Sequence, residues 1–420
     1  MKGRELVEEF LYWYFDSFLI PLLRTTFYAT ESSIFRNRIL FFRHDDWKTL
    51  CKPLMDKICS ERFVKVPEVP LLPLLGQISD SCTQDMIKNK DRQLGHSSVR
   101  LLPKETGARL IVNLGKRPVS KGIASRYYGS VNDILQTALH ILTYEKHNQS
   151  QIHRASVNSH SGIYFKLKDF KNANRLPNGL LPKLYFVKMD VHACFDSIEQ
   201  GKLLDIIRRT LTEKRYMLQK YTQTYRSRDR VKRNFTRRAF ADDDHQHFLS
   251  IATDLATSLR HAVFTDQVVH TFEERNELLA LIEEHISSHI VEIGGNFYKQ
   301  KVGIPQGSVI STILCNFFYE DLESSSRFDF MRGPAQLLLR YIDDYFFVST
   351  SLENAKQFLA MMNEGRSANV DNPFQITQLR QVTQSMVALF QRRRRKPTLV
   401  ERKLKGIFPL RRQSIGAACS

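Results

Sequence analysis

The sequence is short of acid: 44 Asp and Glu stand against 62 Lys and Arg in 420 residues, a formal charge of +18. That deficit excludes an acidic, solvating chain and points to a polyanionic partner, most often nucleic acid. The six cysteines, at 51, 59, 82, 194, 315 and 419, include no Cys-x-x-Cys pair. Their scatter argues against a zinc ribbon or a disulfide framework and for a reduced, intracellular compartment. Long apolar runs are missing too. The longest, FLYWYFDSFLIPLL (residues 10–23), is broken by Asp16 and Pro21, too short to span a bilayer. The opening MKGRELVEEF lacks a signal-peptide layout. There is no phosphate-binding G-x-x-x-x-G-K, no G-x-S-x-G elbow and no internal repeat.

What remains is a chain with 42% apolar residues, enough for a core and, at this length, for two to four domains. Residues 6–23 read as a helix with a broad aromatic and aliphatic face. Residues 24–50 interleave Phe27, Tyr28, Phe35, Phe41, Phe42 and Trp47 with Arg24, Arg36, Arg38, Arg43 and Lys48. That mixture suits base stacking and phosphate pairing, and equally an ordinary core with aromatics inward and arginines outward. A proline-rich stretch from 65 reads as a connector. SSVRLLPKETGARLIVNL then predicts two strands joined at Glu105-Thr106-Gly107, with Lys104 and Arg109 near the tip as a candidate triphosphate clamp. KLLDIIRRTL predicts an amphipathic helix, residues 214–240 are strongly basic, and 254–290 carry helical periodicity. His285 and His289 stand at i and i+4, but Ile286 occupies the place where a metalloprotease helix needs Glu, so both read as surface histidines. HIVEIGGNFYKQ predicts a hairpin turning at Gly294-Gly295, followed by a loop through Gly303, Pro305 and Gly307 and a helix over VISTILCNFFYEDLE. RRRRK (392–396) suits nuclear import or phosphate binding.

The acids that are present fall in unexpected places. Asp190 ends the apolar strand LYFVKMD, and Asp343 with Asp344 interrupts LLLRYIDDYFFVST. An unpaired buried carboxylate costs several kcal/mol even after relaxation, of the order of ~5 kcal/mol. A hairpin turning at 343–344, with the first strand beside it, would gather three carboxylates at one sheet edge. A divalent cation with oxygen ligands, Mg²⁺ above all, would relieve their repulsion, and two such ions can clamp a phosphoryl displacement.

The order of these segments resembles a right-hand polymerase with a reverse-transcriptase palm: a Lys/Arg hairpin, a strand ending in Asp, a G-x-P-Q-G loop leading into a helix, then an Asp-Asp hairpin. FYATESS and FFRHDDW resemble the motif particular to telomerase reverse transcriptases. LPKETGARLIVNL, LYFVKMDVHACFDSI and VGIPQGSVISTILCNFFYEDLE resemble that family's fingers and palm motifs, and the gap from 198 to 290 its insertion in the fingers. The likeness covers about residues 5–364, with details such as ESS…RNR closest to fungal members.

The resemblance implies an α+β fold with a reverse-transcriptase palm and fingers, a mostly helical fingers insertion and a helical N-terminal segment. The implied division is 1–64 for the end of the telomerase RNA-binding domain, 65–94 a connector, 95–182 fingers, 183–365 palm with its insertion at about 199–292, and 366–420 a divergent basic tail. It implies Asp190, Asp343 and Asp344 as catalytic carboxylates, the first two holding two Mg²⁺ ions directly and Asp344 supporting. Lys104 and Arg109 would bind the incoming triphosphate, Phe195 would exclude a ribose 2′-hydroxyl, and Gln306 and Gly307 would line the nucleotide and template pocket. Arg36, Arg38, Phe41, Arg43 and Trp47 would contact RNA. The implied partners are telomerase RNA, a telomeric single-stranded DNA primer, the RNA–DNA hybrid, deoxynucleotides and accessory telomerase proteins, at telomeres in the nucleus and away from membranes. After residue 364 no primer-grip motif or thumb is recognisable, although Ile376, Leu379, Met386 and Phe390 could stripe a helix. Most of the family's N-terminal domains are also missing before Met1. The alternatives are an inactive, RNA-binding form and a mobile-element reverse transcriptase.

Overall fold

The computed structural model describes residues 2–32, 37–66, 94–104, 107–116, 129–148, 155–157, 159–191, 193–227, 230–242, 253, 262–266, 270–324, 326–331, 333–364 and 380–381. Arg36, turn residues 105–106, most of the expected connector and nearly all of the tail lie outside them, as does the helical stripe expected over 376–390 apart from Arg380 and Gln381. The chain forms two compact units, residues 1–145 with 198–314, and 146–197 with 315–420.

The first unit opens on helix from Lys2 to Thr26, with a π-helical stretch at Tyr14–Leu19. Strands β1 (Phe27–Glu31) and β2 (Ile39–Arg43) pair antiparallel, Phe27 opposite Arg43. Leu40 and Phe42 are half-buried while Ile39, Phe41 and Arg43 face outward, the period-2 pattern of a one-sided strand. Trp47, on the helix His44–Arg62, stacks on Tyr28 at 4.8 Å and packs on Phe42 at 4.6 Å.

A five-stranded sheet follows. It contains β3 (Phe63–Lys65), β4 (Ser97–Pro103) and β5 (Ala108–Asn113), with β11 (Ile290–Ile293) and β12 (Asn296–Gln300) added from later in the chain, in the order β3-β12-β11-β4-β5. Both expected hairpins form. Pro103 pairs with Ala108 around the Lys104 tip, and Ile293 pairs with Asn296 around Gly294 and Gly295. These two glycines have φ of 58° and 80°, as a two-residue hairpin turn of this hand requires.

The insertion differs from expectation. Helices Gln200–Thr210 and Arg275–Ser287 flank it, but its described middle is sheet rather than mostly helix. Strand β7 (Arg215–Ser227) pairs with β8 (Arg230–Ala241) on one edge and with β9 (Ala262–Asp266) and β10 (Thr271–Glu274) on the other. RYMLQKYTQTYRS is rich in Tyr and Thr, which favour a pleated surface. Tyr221 and Gln223 are buried while Thr222 and Thr224 are only half-buried. Sheet pairing across a long loop overrides the helical spacing seen locally.

A second correction concerns His285 and His289, which are buried rather than on the surface. His285 lies on the same helical stripe as Leu278, Leu281 and Ile282, at the i+7, i+4 and i+3 positions that face a core.

The second unit is built on a sheet in the order β13-β14-β6-β15: β6 (Tyr185–Asp190), β13 (Gln336–Tyr341), β14 (Asp344–Ser349) and β15 (Arg380–Gln381). Both faces are covered, which is why its strands read as nearly unbroken apolar runs. On one face Phe186, Leu339, Phe346 and Val348 pack with Ile163, Leu167 and Phe170 of the helix His160–Ala173. On the other, Phe347 meets Phe358 of the helix Leu352–Glu364 at 4.8 Å.

Candidate active site

The expected acidic edge is assembled in the second unit. Tyr341 pairs with Asp344, so the hairpin turns through Ile342 and Asp343. Asp344 lies opposite Asp190 in the β14–β6 register, and the Val191 amide donates to the Asp343 carbonyl at 3.0 Å. Backbone pairing thus brings the three acids to one end of the sheet, with Asp190 exposed and Asp343 and Asp344 half-buried. Asp344 Oδ1 lies 3.2 Å from Lys188 Nζ. In a sheet, residues two apart share a face, which sets Lys188 beside Asp190 and diagonal to Asp344.

The turn is held from below by a buried charge cluster that the sequence reading missed. Arg340 is completely buried. Its guanidinium donates to the Asn316 side-chain oxygen at 2.8 Å, to the Asn316 carbonyl at 3.3 Å and to the Ile342 carbonyl at 3.4 Å, and it pairs with Glu323 and, at 3.8 Å, with Glu320. Tyr345 donates to Glu323 at 2.7 Å, and Lys146 meets Glu320 at 3.2 Å. Burial opposes the Arg340 charge, but Glu323, then Tyr345 and Glu320, outweigh it and hold the guanidinium protonated. Burial pushes the Tyr345 hydroxyl well above its ordinary range, with Glu323 adding to the shift. Ile342 has φ of 61°, an uncommon conformation for a β-branched side chain and a sign of local strain. The Arg340 hydrogen bond falls on the carbonyl of that strained residue, which immediately precedes Asp343.

Phe195 sits half-buried in the tight turn after β6. Ala193 has φ of 52°, and its carbonyl accepts from the Asp196 and Ser197 amides at 2.7 and 2.9 Å. Tyr319 donates to the Cys194 carbonyl at 3.4 Å, and the Cys194 and Cys315 thiols lie 3.3 Å apart.

The first unit carries the other candidates. The Lys104 amide donates to the Gly107 carbonyl at 2.9 Å, and Leu102 pairs with Arg109, so both cations flank the hairpin end. The Gln306–Gly307 loop docks on β5, where the Val112 amide donates to the Gln306 carbonyl at 3.0 Å. Gly307 has φ of 121°, and a Cβ there would lie 2.5 Å from the Val112 carbonyl oxygen. Asn132, also missed, clamps this loop from both sides. Its side-chain nitrogen donates to the Gly307 carbonyl at 3.2 Å, and its oxygen accepts from the Val309 amide at 3.0 Å. Nothing in the local sequence marks Asn132, because its partners lie far along the chain. Of the nucleic-acid candidates, Arg38, Phe41 and Arg43 face outward and Trp47 faces Tyr28 and Phe42.

Asp190, Asp343 and Asp344 offer only oxygen donors, a set that fits a hard divalent ion. Among the described residues, no three carboxylate, imidazole or thiol groups close on a metal-sized position. No helix among them is long and apolar enough to cross a membrane.

Comparison with known proteins agrees with this arrangement. Residues 1–58 match the family described as "Telomerase ribonucleoprotein complex - RNA binding domain", and residues 243–369 match "Reverse transcriptase (RNA-dependent DNA polymerase)". The telomerase reverse transcriptase of Bos taurus is 30% identical over 382 residues, covering 87% of this chain and 32% of that protein. That of Mus musculus is 28% identical over 371 residues, covering 86% and 32%. The chain therefore spans about a third of the length of the curated relatives it matches. The structure of telomerase from Candida albicans with a fragment of telomeric RNA shares the fold, with a TM-score of 0.62 and 19% identity over 90% of this chain and 54% of that one.

Proposed function

We propose that this chain, which belongs to the telomerase reverse transcriptase family, carries the polymerase centre of an RNA-directed DNA polymerase that extends chromosome 3′ ends with telomeric repeats on an RNA template. The observation that carries the reading is the pairing of Asp190 with Asp344 across β6 and β14, with Asp343 in the adjoining turn. Asp190 and Asp343 would hold two Mg²⁺ ions, and Asp344, paired with Lys188, would support them. When bound, the ions would stabilise the charge on the attacking 3′-hydroxyl and on the leaving pyrophosphate.

The protein's own part is positioning. Lys104 and Arg109 would take the incoming triphosphate through charge-assisted hydrogen bonds. Gln306 and Gly307 would line the nucleotide and template pocket. The phenyl ring of Phe195 would occupy the space a ribose 2′-hydroxyl needs, favouring deoxynucleotides. Outward-facing Arg38, Phe41 and Arg43, with Arg36 and Trp47, would contact telomerase RNA. The division into RNA-binding end (1–64), connector (65–94), fingers (95–182), palm (183–365) and basic tail (366–420) belongs to this reading, as do a single-stranded telomeric primer, accessory telomerase proteins and a place at telomeres in the nucleus. The match to a telomerase RNA-binding family favours it over a mobile-element enzyme.

The test is extension of a DNA primer annealed to an RNA template by the purified chain. Deoxynucleotide addition that needs a divalent ion and disappears in Asp343→Ala supports the reading. Tight binding of the hybrid with no nucleotide addition at any Mg²⁺ or Mn²⁺ concentration assigns the chain to the non-catalytic, RNA-binding alternative.

A further inference from the structure

The insertion sheet has two unlike faces. Cross-strand partners share a face, so Thr222, Thr224 and Arg226 of β7 stand with Phe235, Arg233 and Val231 of β8 and with Thr265 and Val263 of β9. Lys220 and its partner Arg237 extend the same face. The opposite face holds Tyr221 and Gln223, both buried, and Met217 and Tyr221 pack there with Phe240 and Tyr144. The first face stays open. Phe235 and Val231 are each 70% exposed and Val263 is 65% exposed. It carries four cations and, over these strands, no acid.

We propose that this face binds single-stranded RNA, with Phe235 as the stacking platform and Lys220, Arg226, Arg233 and Arg237 as phosphate contacts. The charge decides the class of partner. A cationic face with no carboxylate attracts a polyanion and draws its on-rate and salt dependence from that. The exposed phenyl decides for a single strand, since a base must be unpaired to lay its face on a side chain, whereas a duplex offers phosphate alone. Cations that share a strand face recur every two residues, about 6.8 Å, comparable to the phosphate spacing of an extended strand. Thr222, Thr224 and Thr265 lie among the cations on this face. Their hydroxyls can donate to and accept from a ribose 2′-hydroxyl, which selects RNA over DNA. The inference goes beyond the polymerase reading and does not use the carboxylate centre.

The test uses the full chain, a fluorescein-labelled 12-nucleotide oligouridine, the matching oligothymidine and a duplex of the same length. Ultraviolet crosslinks to the oligouridine are mapped by mass spectrometry. The proposal predicts a crosslink on the β8 peptide at Phe235. Phe235→Ala should weaken oligouridine binding about fivefold or more, while Phe235→Tyr keeps it. The Arg233→Ala/Arg237→Ala double variant should lower the slope of log affinity against log salt by about 1.4. These side chains are exposed, so the variants should fold as the parent does. Crosslinks only elsewhere together with unchanged Phe235→Ala affinity, or equal loss of duplex and single-strand binding, overturn it. Equal affinity for oligothymidine overturns the choice of RNA. Asp343→Ala should leave the crosslink intact, so loss of extension and loss of this face are separate results.

Discussion

The Lys188 ammonium lies 3.2 Å from a carboxylate oxygen of Asp344, on neighbouring strands at the edge where Asp190 and Asp343 also sit. Both side chains are mostly buried, so neither is compensated by bulk water when the other is removed. Lys188→Met and Asp344→Asn should each destabilise the fold, and the double variant should cost less than their sum. The coupling expected from urea unfolding is about 0.5–3 kcal/mol. Strict additivity would show that the pair does not act as a unit.

Arg340 should matter more for stability than any exposed cation. Arg340→Met strands Glu320 and Glu323 in a dry environment and removes the donor to the Ile342 carbonyl. Breaking a buried ion pair from one side costs about 3–5 kcal/mol. Arg340→Lys should recover part of this, because an ammonium keeps the charge but not the planar fork that reaches Asn316 at the same time. Urea midpoints rank the three proteins, and a midpoint for Arg340→Met within error of the parent would refute the role assigned to the cluster.

Gly307→Ala tests the loop on β5. A Cβ would lie 2.5 Å from the Val112 carbonyl oxygen, at a φ that L side chains rarely adopt. The strain, on the order of 1–3 kcal/mol, should be relieved by lifting the loop and losing the Val112–Gln306 hydrogen bond. In steady-state extension this should appear as a raised KM for deoxynucleotide with a smaller change in kcat, and in hydrogen exchange as faster exchange of the Val112 amide.

Acidification probes the buried histidine. Burial, and then the nearby His289, hold His285 neutral to well below its ordinary value of 6.5. The unfolded chain takes up a proton near 6.5 while the folded chain does not. Stability is therefore full above that pH and falls as pH drops below it, by about 1.4 kcal/mol per pH unit for one such group. His285→Phe should flatten this dependence between pH 6.5 and 5. An unchanged slope in the variant would assign the acid sensitivity to other groups.

Much of the site was legible because local rules break where chemistry is done. Asp343 and Asp344 stood out as acids in an apolar strand, and the same argument applied to Arg340 in LLLRYI and to Lys188 in YFVKMD. Those cations went unused because a single cation in a strand can reach the surface along its own stem. His285 was misjudged for want of phase: counted from Leu278 and Leu281, it falls on the apolar stripe. The insertion sheet was harder to read, since β9 reaches β7 across about 40 residues and its apolar spacing suits helix as well as strand. Asn132 was illegible, since its only distinction is a pair of hydrogen bonds to a loop about 175 residues away.

The central claim is that Asp190 and Asp343 form a divalent-metal centre. The most direct measurement is Mn²⁺ titration followed by electron paramagnetic resonance, with the chain bound to an RNA–DNA hybrid and a non-hydrolysable deoxynucleotide. The account predicts two bound ions per chain, loss of both in Asp190→Asn/Asp343→Asn, and tight binding retained in Lys104→Ala. The same number of tightly bound ions in the parent and in the double aspartate variant would contradict it.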